Sequence, residues 1–87
     1  MPSVIVVFGM QGCPACESYL PVFRKVAERY AIPAFAVDSN AFPEAADKYK
    51  IKVTPTTLLL KWGRVTKRFE GEGTTADVEK LFRWAEK

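Results

Sequence analysis

The chain of 87 residues contains no histidine. That absence excludes Ser-His-Asp and Cys-His nucleophilic catalysis and every zinc site that uses imidazole. Cysteine is scarce, with only Cys13 and Cys16. Two thiols are too few to staple a secreted mini-protein, and a structural zinc needs about four ligands. Carboxylates would complete a metal site only in an unusual arrangement, so no bound metal is expected. Long apolar runs are also missing. The longest, Val4 to Phe8, falls far short of the roughly 20 residues of a transmembrane helix, and no basic segment precedes it as in a signal peptide. The expected location is therefore cytoplasmic, with no membrane partner. Nor is there a stripe of one charge: 13 Lys and Arg are interspersed with 10 Asp and Glu, for a net +3. Nucleic acid is not expected as a partner.

What is present is ordinary globular composition, 48% hydrophobic and 26% charged. A chain this short supports one core, so residues 1–87 are read as a single domain, expected to be a monomer, with no repeat, linker or low-complexity segment. Val4-Ile5-Val6-Val7-Phe8 reads as a central strand covered on both faces and ended by Gly9. Leu20, Phe23, Val26, Ala27 and Tyr30 then recur at helical spacing, opposite Arg24, Lys25, Glu28 and Arg29. Pro14 suits the first turn of that helix, and Pro21 lies inside it as an expected kink. Residues 33–38 read as a second strand and Pro43 to Tyr49 as a short helix. Thr56 to Leu60 gives a third strand, Trp62-Gly63 a tight turn and Val65 to Phe69 a fourth strand pairing back. A last helix has Thr74 as N-cap with Asp77 three positions on, and should bury Val78, Leu81, Phe82 and Ala85. The order β-α-β-α-β-β-α predicts an α/β fold with a four-stranded mixed sheet flanked by helices; strand-helix-strand units favour parallel pairing, and the hairpin adds an antiparallel edge.

Cys13 and Cys16 fall between the first strand and the first helix. A helix N-terminus carries unsatisfied N–H groups and partial positive charge, which favour a thiolate on Cys13. Cys16, one turn later, lies within reach of that sulfur. The pair fits reversible dithiol chemistry, in which Cys13 attacks a target disulfide and Cys16 resolves the mixed disulfide. Two buried small hydrophobes that happen to lie close is the bland alternative.

Here the chain resembles the thioredoxin superfamily, from Val4 to Phe82. Besides the CxxC, the match is carried by Thr54-Pro55-Thr56, by Pro21 five residues after Cys16, and by Gly71. The resemblance implies that the Thr54–Pro55 bond is cis, that the Thr54 backbone pairs with bound substrate, and that Gly71 leaves room for a substrate backbone. Without it, Pro55 is only a proline at the start of a strand, and Gly71 with Gly73 only a turn. Gly12 and Pro14 belong to the expected substrate surface, yet they depart from the family, which has Trp before the first cysteine and Gly-Pro between the two. Thioredoxins usually begin with a further strand and helix, so the chain resembles a minimal, glutaredoxin-sized version.

The family's buried aspartate and lysine, which help deprotonate the resolving cysteine, align with Val7 and Ala34. Loss of both is coherent, because one charge left alone inside would cost several kcal/mol or so. The proton acceptor for Cys16 is then open, with water, Glu17 or the departing thiolate as candidates; Glu17 reads equally as a solvated helix residue. Trp62 and Trp84 need no docking role. The resemblance implies a protein disulfide reductase with no bound cofactor. Its electrons would come from NADPH through a thioredoxin reductase-like or glutathione-linked reductase, and its substrates would be disulfide-containing proteins. A glutathione-dependent, glutaredoxin-like enzyme is the alternative, suggested by the short N-terminus and Gly71-Glu72-Gly73-Thr74-Thr75-Ala76-Asp77. A thioredoxin-fold binding subunit is the third reading.

Overall fold

The β-branched run after Pro2 forms β1 (Ser3–Gly9), and a computed structural model describes it together with everything else from residue 2 to residue 87. Met1, the first residue of the expected domain, lies outside the described residues. Helix α1 (Pro14–Ala27) follows, then β2 (Ala34–Asp38), α2 (Pro43–Lys48), β3 (Thr56–Lys61), β4 (Arg64–Glu70) and α3 (Thr75–Ala85). The sheet order is β2-β1-β3-β4.

Strand β1 runs parallel to β2 and antiparallel to β3, with Val7 opposite both Ala36 and Thr57. The first strand-helix-strand unit is thus parallel as expected, whereas the second is not. A helix of six residues rises only about 9 Å, less than half the ~20 Å of a six-residue strand. Helix α2 therefore cannot carry the chain back along the sheet. β3 starts at the end where β2 stopped, with Thr56 opposite Phe8, and runs the other way.

The core lies on one face of the sheet. Ile5, Val7 and Leu59 meet Tyr19, Phe23 and Val26 of α1 and Val78, Leu81, Phe82 and Ala85 of α3. On the opposite face Phe8 packs against Tyr49 at the end of α2, and Leu58, set opposite Val6, is fully buried. Val4 and Val6 are half-buried and Phe35 is 56% exposed. β1 is central in the sheet, fully covered on one face and only partly covered on the other at Val4 and Val6.

Helix α1 keeps its helical form on both sides of Pro21 and ends at Ala27, earlier than the apolar spacing through Tyr30 suggested. Two i→i−3 hydrogen bonds, from Arg29 to Val26 and from Tyr30 to Ala27, tighten the exit before Ile32-Pro33, since a residue preceding proline disfavours the helical region. Tyr30 still serves the core, stacked on Phe82 at 5.2 Å between ring centres. The β3–β4 hairpin turns at Trp62 and Gly63, both with positive φ (54° and 79°), the backbone that two-residue hairpin turns require. Trp62 in this turn is 81% exposed. Thr74 and Asp77 form a reciprocal capping box at α3, as their spacing predicted.

Candidate functional site

Gly12, with φ at 77°, turns the chain out of the loop after β1 and delivers Cys13 as the N-cap of α1. The Cys13 sulfur accepts the Cys16 backbone N–H at 3.2 Å. Pro14 stands in the first turn, where its missing N–H costs nothing. The sulfur thus occupies the place a Ser or Asp oxygen takes in an ordinary cap, facing the unsatisfied donors of the helix.

Cys13 and Cys16 are joined as a disulfide, with their Cα atoms 5.2 Å apart. Cys13 is partly exposed while Cys16 is only 2% exposed. Cys13 is thus the more accessible of the two sulfur-bearing residues.

Across from the disulfide, the Thr54–Pro55 peptide is cis, and Thr54 meets Cys13 in two ways. Its hydroxyl donates to the Cys13 sulfur at 3.5 Å, and its carbonyl oxygen lies 3.6 Å from the same sulfur. The Pro55 carbonyl accepts the Gly71 N–H at 2.8 Å, which ties the turn after β4 to this loop. Gly71 has φ at 92° and open space where a side chain would stand. Cys13, Thr54, Pro55 and Gly71 are therefore linked as one group, with Gly12 and Pro14 exposed beside Cys13.

Three features were not legible from the sequence. The first is the Thr54 hydroxyl, since only its backbone had been assigned a role. The second is a buried pair one turn below the sulfurs: the Tyr19 hydroxyl and Thr57 Oγ1 lie 2.8 Å apart, both residues fully buried. Burial raises the Tyr19 pKa, the Thr57 hydrogen bond opposes that rise, and the charge of Asp77 adds to it. Helical spacing had marked neighbours of Tyr19, but no pattern links it to Thr57. The third is a cavity of about 430 Å³ between β1, β2 and α1, with Cys16 in its wall. Val7 is fully buried in its floor. Ala34 lies two residues from Ala36 on β2 and is paired with Ile5, so the positions aligned with the family's aspartate and lysine are both apolar.

Among the described residues no three His, Cys, Asp or Glu side chains converge as a metal site, and no helix is long and apolar enough to cross a membrane.

Comparison with known proteins places this geometry in a family. A solved structure of reduced thioredoxin pre-protein from Schistosoma mansoni superposes with a TM-score of 0.90 at 28% identity, covering 97% of this chain and 79% of that one. Thioredoxin of Fasciola hepatica gives 0.85 at 29% identity, over 93% and 79%. Among curated sequences, chloroplastic thioredoxin Y1 of Arabidopsis thaliana is 34% identical over 77 residues, which is 86% of this chain but 45% of that protein. The chain spans less than half the length of this plant relative and of thioredoxin Y2, of which it covers 42%. The thioredoxin-like protein slr0233 of Synechocystis is 31% identical, over 86% of this chain and 73% of its own length. The family model described as Thioredoxin matches residues 1–85. The chain belongs to the thioredoxin family.

Proposed function

We propose that the protein is a thiol-disulfide oxidoreductase that reduces protein disulfides through Cys13 and Cys16. The observation that carries this reading is the Cys13 sulfur at the helix N-terminus, accepting hydrogen bonds from the Cys16 N–H and the Thr54 hydroxyl. Both donors favour a charged sulfur over a neutral one. In the reduced protein the Cys13 thiolate attacks one sulfur of a target disulfide. A Cys13–target bond forms, and the other target sulfur leaves as thiolate. Cys16 then loses its proton and attacks Cys13; the Cys13–Cys16 bond forms and the second target thiolate departs. Two electrons pass to the target and the internal disulfide remains.

The extended segment of the target lies along Thr54–Pro55, with Gly71 and Gly12 leaving its backbone space and Pro14 bordering it. Electrons return from NADPH through a partner reductase in a reducing compartment such as the cytoplasm, and the protein acts as a monomer. Insulin reduction with dithiothreitol, followed by turbidity, tests the activity: the wild type accelerates precipitation and Cys13→Ser does not. Equal turbidity in both would reject the reading. NADPH consumption coupled through thioredoxin reductase or through glutathione reductase then identifies the partner, and recycling by glutathione alone would make the protein glutaredoxin-like.

A further inference from the structure

We propose that the cavity behind Cys16 is the exit route for the proton of the resolving thiol, and that the Glu17 carboxylate accepts it. This rests on the dithiol mechanism above, which requires Cys16 to lose a proton while almost wholly buried. The positions where a charged pair would help are occupied by Val7 and Ala34. Tyr19, on the same face of α1 as Cys16, has its hydroxyl committed to Thr57. Thr54, Pro55 and Gly71, which group around the Cys13 sulfur, do not line the cavity, whereas Cys16 does and Gly12 borders both.

On the Cys16 side the route is open because of what is small. Gly9 and Cys16 line the cavity side by side, and a Cβ at Gly9 would touch the Cys16 sulfur at 3.4 Å. Ala36 contributes only a methyl group to the far wall. About 430 Å³ holds several waters at about 30 Å³ each, and exposed Gln11, Gly12 and Glu17 form its rim.

The titratable groups facing Cys16 across this space are few. Helix α1 presents Glu17 and β2 presents Asp38, while β1 and the loop after it present no charged group. Asp38 already accepts the Asn40 N–H at 2.8 Å in the turn that ends β2. The Glu17 carboxylate is engaged in no hydrogen bond or ion pair among the described residues, and it sits next in sequence to the thiol it serves. In the resolving step the Cys16 S–H bond breaks and its proton passes through cavity water to Glu17. The sulfur's electron pair forms the bond to Cys13, and the target leaves with the electrons of the broken mixed disulfide. Glu17 then releases the proton to solvent, so no further reductant or oxidant is needed.

Rapid mixing of the reduced protein with dithiobis-nitrobenzoate separates the two steps, since the first thionitrobenzoate released reports attack by Cys13 and the second reports resolution by Cys16. Glu17→Gln should leave the first phase within about twofold and slow the second about tenfold at pH 6, the low end of general-base effects transmitted through water. The deficit should close toward pH 9, where thiol ionisation no longer needs a base. Ala36→Leu, which fills the cavity from the sheet edge, should slow the second phase likewise. A second phase unchanged in Glu17→Gln across this pH range would overturn the assignment, as would a selective loss in Asp38→Asn instead. Absence of the first phase in the wild type would instead remove the dithiol mechanism itself.

Discussion

Tyr19→Phe deletes one oxygen atom from the core, and its expected cost follows from the partner left behind. Tyr19 and Thr57 are each fully buried and hydrogen-bonded to one another at 2.8 Å. In the variant the Thr57 hydroxyl loses its partner where water cannot replace it, a penalty of about 1–3 kcal/mol. Taking about 2 kcal/mol, and about 4–8 °C per kcal/mol for a domain of this size, the melting temperature should fall by roughly 8–16 °C. Thr57→Val strands the Tyr19 hydroxyl in the same way and should cost a similar amount. The double variant Tyr19→Phe/Thr57→Val leaves nothing unsatisfied. It should be more stable than the sum of the two singles predicts by about 3 kcal/mol, a coupling read from a double-mutant cycle in urea. Strict additivity, or a single-variant loss below about 0.5 kcal/mol, would refute the reasoning.

The same pair carries a pH signature with a definite sign. Burial raises the Tyr19 pKa above its ordinary 10.0, so the native state favours the neutral phenol more than the unfolded chain does. That stabilisation is fully present below pH 10 or so and is lost as pH rises through the higher native value. Wild type should therefore lose stability on the alkaline side more steeply than Tyr19→Phe. The pair also has a place in the site, because Tyr19 lies three residues after Cys16 and Thr57 three after Thr54. It fixes the spacing of the two elements that present the sulfur and its hydroxyl donor, so Tyr19→Phe should also weaken Cys13 reactivity modestly.

Thr54→Val keeps the size of the side chain and removes the hydroxyl donor to Cys13. One hydrogen bond to a charged group is worth about 1.5 kcal/mol at the weak end, so alkylation of reduced Cys13 by iodoacetamide at pH 7 should slow by up to about tenfold; Thr54→Ser should restore most of it. At α3, Thr74→Ala removes the cap hydroxyl that accepts the Asp77 N–H and should lower stability by about 1 kcal/mol in urea titration. Hydrogen bonds from the Thr74 backbone and hydroxyl hold the Asp77 carboxyl below its usual range. The contribution of the cap should thus persist at neutral pH and fade only as acid protonates Asp77.

Much of the fold was legible because it is written in short-range patterns. The β-branched run of β1, the apolar spacing of α1 and α3 and the box of Thr74 and Asp77 depend on neighbours within a few residues. The placement of Cys13 at a strand-to-helix junction follows from the same local signals, and with it the dithiol chemistry. Local pattern misjudged three features. The end of α1 was set by the chain having to reach Pro33, and the partial cover of the second face of β1 by the shortness of α2. The direction of β3 likewise depends on where a six-residue helix leaves the chain.

The chemistry around the sulfurs depends on residues far apart in sequence. The Thr54 hydroxyl is 41 positions from Cys13, and Thr57 is 38 from Tyr19. Their partnerships depend on the register of β1 against β3, which sets Val7 opposite Thr57. The cavity beside Cys16 is lined by two small residues with no reason to be noticed apart, Gly9 and Ala36, which the parallel register sets opposite Asp38 and Val7. The sequence by itself determined which residues can do redox chemistry and at which end of a helix they stand. Only the tertiary structure decided what surrounds each sulfur, because side chains meet there through strand pairing and helix packing rather than through proximity along the chain.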